Sequence, residues 1–595
     1  MRLFLFLSIA LFAQGEKTIR EQFTKYEYRI AARDGKRLFT SVYIPKDQSQ
    51  KWPILMSRTP YSVAPYGVDL YKEDLGPNKE LAKLNYIFVY QDVRGRNMSE
   101  GEFINMTPHR PVKRSPQDVD ESSDTYDTID WLVKNLPNNN GKVCTYGISY
   151  PGFYTAAGMI DAHPAHVCAS PQAPITDWFT GDDFHRNGAL YLPHSFNFLA
   201  GFGKPRPEPV APPKDRPKFE YGTPDGYKFF LQMGPLFTAN ELHFKNTVSF
   251  WNDMMRHDTY DEFWQSRNLR PHLKAIKPAV MTVGGWFDAE NLYGALQVFK
   301  NVAKQSESTT NLLVMGPWRH GQWARDDGDR LGHIKFDAKT SKDYGKNIET
   351  PFFEYYLKGK GDGKFPKAQV FETGTNQWRK FESWPPAETK ARSLYLTANG
   401  KLSWQAPNAG SGSDEFTSDP AKPVPVVGDI AIGMTREHMV DDQRFAASRP
   451  DVLVYESEVL EEDVTFAGPV LNSLFVSTTG TDADWIVKLI DVLPDSIPVP
   501  EVDPKSKVRP PPPLAGFQML IRGEVFRGKF RNSFSKPEPF APGQVTKVEY
   551  GMNDIFHTFR RGHRIMIQVQ SSWFPLVDRN PQKFMNINEA REGDF

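Results

Sequence analysis

Residues 143–160 read VCTYGISYPGFYTAAGMI. A short β-type run (143–146) leads into Gly147-Ile148-Ser149-Tyr150-Pro151-Gly152. A helical pattern follows, in which Phe153, Ala156, Ala157 and Ile160 share a face. A strand, a tight turn and a helix with Ser at the tip form the setting of a nucleophile elbow. The turn lifts the hydroxyl above the sheet edge, and small flanking residues let the backbone bend. The usual G-x-S-x-G places Gly two positions after Ser; here Pro151 stands there and Gly152 follows. A Gly-Ser turn between strand and helix is also a common plain turn, so the motif needs partners.

The same rhythm extends to both sides. Residues 53–56 and 86–90 read as strands, and 120–135 as a helix with Tyr126, Ile129, Leu132 and Val133 near one face. Strand and helix in alternation predict a parallel sheet covered on both faces. After Asp177 the strand signal stops, and 227–233 and 247–256 read as helices among Pro-rich loops. Strands return at 279–283 and 312–315, with a helix at 290–303 between them. An inserted helical cap accounts for this better than a separate domain does. From Ser393 onward only strands are expected: 393–397, 452–458, 472–478, 485–492, 518–526, 546–550 and 564–570. Turn-rich loops separate them, including the Pro-dense 494–513, and such a series makes a sandwich or jelly roll. The expected organisation is α/β: an α/β-hydrolase domain at 16–175 and 273–385, a helical cap at 176–272 inserted in it, and a C-terminal sandwich or jelly roll at 386–595.

In an α/β-hydrolase the nucleophile is followed by an acid and then a histidine, each on a loop after a later strand. Asp288 follows 279–283 through Gly284-Gly285-Trp286-Phe287, and His320 follows 312–315 through Gly316-Pro317-Trp318-Arg319. A lone His or Asp is most often structural, but three such residues in the required order are much rarer by chance. His320 takes the Ser149 proton in this reading, and Asp288 fixes the imidazole tautomer. His333, His438, His557 and His563 lack the strand-end placement. The oxyanion needs donors: the backbone N–H of Tyr150 comes from the elbow itself. Tyr61, after the early strand, offers a phenol as the second donor or is simply a packing aromatic.

Lys plus Arg and Asp plus Glu number 72 each, so the chain carries no field of one sign to gather nucleic acid or an anionic membrane. Residues 3–13 (LFLFLSIALFA) are apolar apart from Ser8, and fall short of the roughly 20 residues a membrane span requires. With Arg2 before them and Ala13-Gln14-Gly15 after, they read as a signal peptide over 1–15, implying a periplasmic or secreted protein without a membrane span in its mature form. The two cysteines, Cys144 and Cys168, are too few for a disulfide framework or a metal cluster; they are expected as buried apolar side chains, or joined if adjacent in an exported protein. Neither a cofactor nor a metal is called for.

Residues 147–152 (GISYPG), 284–290 (GGWFDAE) and 316–321 (GPWRHG) resemble motifs of the α-amino-acid ester hydrolases, relatives of cocaine esterase and of the Xaa-Pro dipeptidyl-peptidases. Residues 92–96 (DVRGR) and 181–185 (GDDFH), the cap and the jelly roll fit the same pattern, so the resemblance covers nearly the whole mature chain. It implies a homo-oligomer that hydrolyses esters and amides of α-amino acids and passes the acyl group to β-lactam nuclei. It also implies a cluster of three carboxylates around the substrate's α-ammonium, at positions matched here by Asp183, Glu290 and Asn291. The third is an amide in this chain, which removes a unit of negative charge and weakens the expected preference over des-amino esters. Within the enzyme class the alternatives are a general carboxylesterase, a glutaryl-type acylase or an Xaa-Pro dipeptidyl-peptidase. Outside it stands a carbohydrate- or surface-binding protein with a vestigial core.

Overall fold

The computed structural model describes residues 18–204, 206, 208–213, 218–408, 410, 412–497 and 514–595. The expected leader at 1–15 and most of the Pro-dense stretch, from 498 to 513, lie outside them. Ten strands form the main sheet: β1 (Phe23–Ala31), β2 (Arg37–Pro45), β3 (Trp52–Thr59), β4 (Ile87–Asp92), β5 (Asn139–Ile148), β6 (His166–Gln172), β7 (Ala279–Gly285), β8 (Asn311–Gly316), β9 (Ala368–Glu372) and β10 (Gln377–Phe381). Their order is β1-β2-β4-β3-β5-β6-β7-β8-β9-β10. Strands β3 to β9 run parallel, while β1, β2 and β10 are antiparallel to their neighbours. The parallel strands are buried on both faces, which is why Ile54, Leu55, Met56, Val143, Val280 and Val283 read as continuous apolar runs. The β1–β2 hairpin escaped the sequence reading because β1 lies at the sheet edge, and charged and tyrosine side chains interrupt its apolar pattern.

Helix α1 (Glu121–Asn135) starts where Asp120 caps it: its carboxylate accepts from the Ser123 N–H at 2.9 Å, and the Ser123 hydroxyl accepts from the Asp120 N–H at 2.9 Å. Helix α2 (Tyr150–Gly158) follows β5. Between β6 and β7 the chain is mainly helical, including α3 (Leu192–Phe202), α4 (Gly226–Met233) and α5 (Ser249–Arg256). Their apolar faces, with Phe196, Phe230, Trp251 and Met254, join one core with Tyr150, Phe153 and Trp178 from the sheet side. Helix α6 (Leu292–Gln305) connects β7 to β8.

The C-terminal part is β-rich. A six-stranded sheet takes the order β11-β12-β13-β18-β15-β16, from β11 (Tyr395–Thr397), β12 (Lys401–Ser403), β13 (Leu453–Glu456), β15 (Asp484–Val492), β16 (Gln518–Arg527) and β18 (Arg564–Gln570). A long antiparallel pair, β14 (Val464–Val476) with β17 (Thr546–Phe559), packs against it, and Leu489, Ile521, Ile555, Phe559 and Ile565 fill the space between. This pair is longer than the expected runs 472–478 and 546–550. A register shift at Gly468/Val470 and the polar Asn553-Asp554 within β17 hide the alternation. The two halves are stitched together at β9: the Thr373 N–H donates to the Phe556 carbonyl at 3.1 Å, and the Thr558 N–H to the Thr373 carbonyl at 2.9 Å.

Cys144 and Cys168 stand opposite each other on β5 and β6 with Cα atoms 4.6 Å apart, and their sulfurs are bonded. Of the two sequence expectations for them, adjacency therefore holds. Among the described residues no helix is long and apolar enough to cross a membrane.

Candidate active site

The turn from β5 to α2 is strained at one residue. Ser149 has φ 69° and ψ −125°, a conformation that costs an L-residue on the order of 1–3 kcal/mol and persists only where its surroundings impose it. Those surroundings are close backbone packing. A Cβ on Gly147 would lie 2.4 Å from the Pro151 carbonyl oxygen, and one on Gly152 would lie 2.4 Å from that of Gln172. Both positions therefore need Gly. Pro151 sits in the first turn of α2, where its missing N–H costs nothing, so the departure from G-x-S-x-G leaves the elbow intact. The Ser149 N–H donates to the Gln172 carbonyl at 3.0 Å, pinning the turn to β6.

The loops after β7 and β8 are joined to each other: the Trp286 N–H donates to the Gly316 carbonyl at 2.8 Å and the Phe287 N–H to that of Trp318 at 3.0 Å. This brings Asp288 to His320, whose Nδ1 lies 3.0 and 2.9 Å from the two carboxylate oxygens. Asp288 is 1% exposed and also accepts from the N–H groups of Glu290 and Asn291, both at 2.9 Å. Burial opposes its charge, but His320 and these N–H groups outweigh burial and hold the carboxyl below its ordinary value. Burial likewise opposes a charge on His320, yet Asp288, Glu290 and Asp183 push the imidazole up to about 9. The His320 loop also reaches the elbow. The Trp323 indole donates to the Gln172 side chain at 2.7 Å, and a Cβ on Gly321 would lie 3.4 Å from Ile148.

Tyr61 turns its phenol to the Ser149 hydroxyl, and its ring packs edge-on against Tyr150 and Phe202. Burial and the Asp183 carboxylate raise its pKa, so the phenol keeps its proton and remains a donor. The Tyr150 side chain faces away, bonded to Asn105 and to the Met106 N–H, leaving its backbone as the part at the elbow.

Asp183, Glu290 and Asn291 meet beside this pair. The Asp183 N–H donates to the Glu290 carbonyl at 3.1 Å, and a Glu290 carboxylate oxygen lies 3.8 Å from His320 Nδ1. Asp183 Oδ2 accepts from the Trp178 indole at 3.0 Å and from Asn291 Nδ2 at 2.7 Å, while Oδ1 lies 3.3 Å from His194 Nε2. Burial pushes Asp183 up, but His194 and Asn291 more than offset it, so it stays below its ordinary value. Burial raises Glu290. Asn291 is fully buried, and its Oδ1 has no hydrogen-bond partner among the described residues. The amide thus does not merely delete a charge. Its N–H is committed to holding Asp183.

Residues 34–322 match the X-Pro dipeptidyl-peptidase (S15 family) and 353–590 match the X-Pro dipeptidyl-peptidase C-terminal non-catalytic domain. An aminopeptidase from a marine sediment Thaumarchaeota archaeon is 36% identical, with a TM-score of 0.88, over 99% of this chain and 95% of that one. An α-amino acid ester hydrolase is 34% identical, with a TM-score of 0.87, over the same shares. The chain belongs to the S15 family. Cocaine esterase of Rhodococcus sp. (strain MB1 Bresler) is 28% identical over 93% of this chain and 91% of its own length. The S15 chain is accordingly a serine-type ester hydrolase with an α/β-hydrolase core and a β-rich C-terminal domain.

The sequence reading of this S15 hydrolase missed two members of the cluster, His194 and Trp178. His194 lies in the first turn of α3 in the cap, where no apolar strand run precedes it in the sequence, so no local pattern marks it. Asp182 was noted only as part of a motif. Its carboxylate accepts from the N–H groups of Thr176 (2.7 Å), Asp177 (3.1 Å) and Gly294 (2.9 Å), tying the start of the cap to α6. Burial, with Asp183 beside it, pushes Asp182 up to about 7.

Proposed function

We propose that this S15 hydrolase cleaves esters, and related amides, of α-amino acids through an acyl-enzyme on Ser149. The observation that carries this reading is the cluster of Asp183, Glu290 and Asn291 directly beside the His320–Asp288 pair. In the first half-reaction Ser149 Oγ bonds to the carbonyl carbon while His320 takes its proton. The bond to the leaving alcohol or amine then breaks as His320 returns that proton to the leaving atom. Water attacks the acyl-enzyme in the second half by the same route; an amine nucleophile, such as a β-lactam nucleus, gives acyl transfer. Tyr61 and the Tyr150 N–H supply the oxyanion donors, each of which is worth about 10²–10³ in rate at comparable sites.

The acidic cluster has a second consequence. Asp183 and Glu290 both raise the pKa of His320, which in the empty site favours the protonated form that cannot act as a base. An ammonium held between those carboxylates neutralises the charges that do this and returns His320 toward its basic form. Binding of an α-amino substrate then frees the proton acceptor, and a des-amino ester does not. The amide of Asn291 leaves two carboxylates for the ammonium.

The apolar run at 3–13 supports export, and the joined cysteines suit an oxidising compartment. The deciding experiment is a panel of paired α-amino and des-amino esters on purified protein, alongside labelling by a fluorophosphonate. A preference for the amino member and labelling lost on Ser149→Ala are expected; equal turnover of each pair would remove the α-amino-acid assignment.

A further inference from the structure

Basic side chains also gather beside His320. A cavity of about 160 Å³ opens there, lined by Glu290, His320, Arg319, Arg325 and Arg436 among others. The three guanidinium groups come from two parts of the chain. Arg319 and Arg325 flank His320 on the loop after β8, while Arg436 arrives from the C-terminal part, before β13.

Their existing partners do not exhaust them. Arg319 Nη2 lies 3.2 Å from Asp326, whose side chain is 44% exposed, and Arg325 donates to the His320 carbonyl at 3.1 Å. Arg436 makes no hydrogen bond or ion pair among the described residues. Burial lowers the pKa of Arg319, and the nearby Arg436 and Arg325 lower it further against the opposing pull of Asp326 and Glu290. Like charges gathered at a cavity wall repel one another, and an anion placed between them relieves that repulsion. Guanidinium groups also match a carboxylate in shape and can bind it through paired hydrogen bonds.

The mechanism says which part of a substrate faces this wall. His320 must hand its proton to the leaving atom, so the leaving group lies within reach of His320, whose side chain lines this cavity. We propose that Arg319, Arg325 and Arg436 form a carboxylate subsite for the leaving group. The preferred substrates are then zwitterions, such as dipeptides and their ester analogues, with an ammonium at Asp183 and Glu290 and a carboxylate at the arginines. This rests on the acyl-enzyme reading for its direction, and it gives the C-terminal domain a direct part in substrate recognition through Arg436.

The test measures binding, so it does not depend on turnover. Ser149→Ala protein is titrated in a calorimeter with phenylalanylglycine and with phenylalanylglycine amide, which differ only in the terminal carboxylate. The dipeptide should bind about tenfold tighter, with the preference falling severalfold on adding Arg436→Ala and reversing on adding Arg436→Glu. Equal affinity for the two ligands, no detectable dipeptide binding, or a preference that survives Arg436→Glu overturns the subsite. Fluorophosphonate labelling of the unsubstituted protein reports separately on Ser149. If labelling fails while the dipeptide preference holds, the serine reading falls and the carboxylate subsite stands.

Discussion

The loop tips above the parallel sheet and the junction between sheet and jelly roll hold the same three kinds of group: a hydroxyl, an imidazole and a carboxylate. At the junction they form an unbroken line. Thr373 Oγ1 lies 2.8 Å from His557 Nδ1, and His557 Nε2 lies 3.1 Å from Asp491 Oδ2. A second imidazole, His563, reaches the other Asp491 oxygen at 2.8 Å. By its contacts this is a better-connected relay than the one at Ser149, yet nothing about it can catalyse. Thr373, His557 and Asp491 are all 2–3% exposed, and the threonine hydroxyl also bonds to the Phe556 carbonyl at 3.0 Å. Thr373 continues a strand, whereas Ser149 is held on a strained turn with Tyr61 turned toward it, in a partly open site. A hydroxyl–imidazole–carboxylate line is therefore insufficient. Access and the strained turn that lifts the Ser149 hydroxyl distinguish the two.

Substitutions can break that contrast. Ser149→Ala should lower kcat by a factor of about 10⁴ or more, while Thr373→Val leaves turnover within about twofold, as steady-state assays of both variants would show. The two aspartates should then separate by kind of effect. Asp288→Asn should cost about 10⁴ in kcat, because the wrong imidazole tautomer is held. Asp491→Asn should instead cost about 1–3 kcal/mol of unfolding free energy in a denaturant titration, because the amide cannot accept from both His557 and His563, and leave kcat/KM nearly intact.

A smaller effect sharpens the electrostatic side. For a des-amino ester kcat/KM should rise with pH toward about 9, since His320 must lose its proton before it can serve as base. Glu290→Gln removes a charge that holds that proton, so the rising limb should move to lower pH. For an α-amino ester, kcat should rise at lower pH than kcat/KM, because the bound ammonium offsets the same charges. Coincident limbs would detach the carboxylates from the base. Smallest is Asn291→Asp: it should raise the ratio of α-amino to des-amino kcat/KM by up to about tenfold, less any loss from breaking the amide bond to Asp183.

How much of this could be read in advance depended on whether a feature was local. The elbow was legible because the strand 143–146, the Gly-Ile-Ser-Tyr-Pro-Gly turn and the apolar face of the next helix are contiguous. Asp288 and His320 were legible because each follows a short, largely apolar β-run. His194 was not, since it sits in the first turn of a cap helix with no apolar strand run before it, and its meeting with Asp183 depends on how the cap folds over the sheet. The β14–β17 pair was underestimated because a register shift and two polar residues interrupt the alternation on which strand recognition relies.

Residue order alone established the α/β core, the inserted helices, the β-rich C-terminal part and the three loop tips. Each of these follows from side-chain periodicity over a few neighbouring positions. Folding in three dimensions decided that Asn291 serves Asp183, that Cys144 faces Cys168, and that Arg436 joins Arg319 and Arg325 at one cavity. The physical reason is that these partnerships depend on strand register and on packing between segments distant in the chain, and neither leaves a local periodic trace.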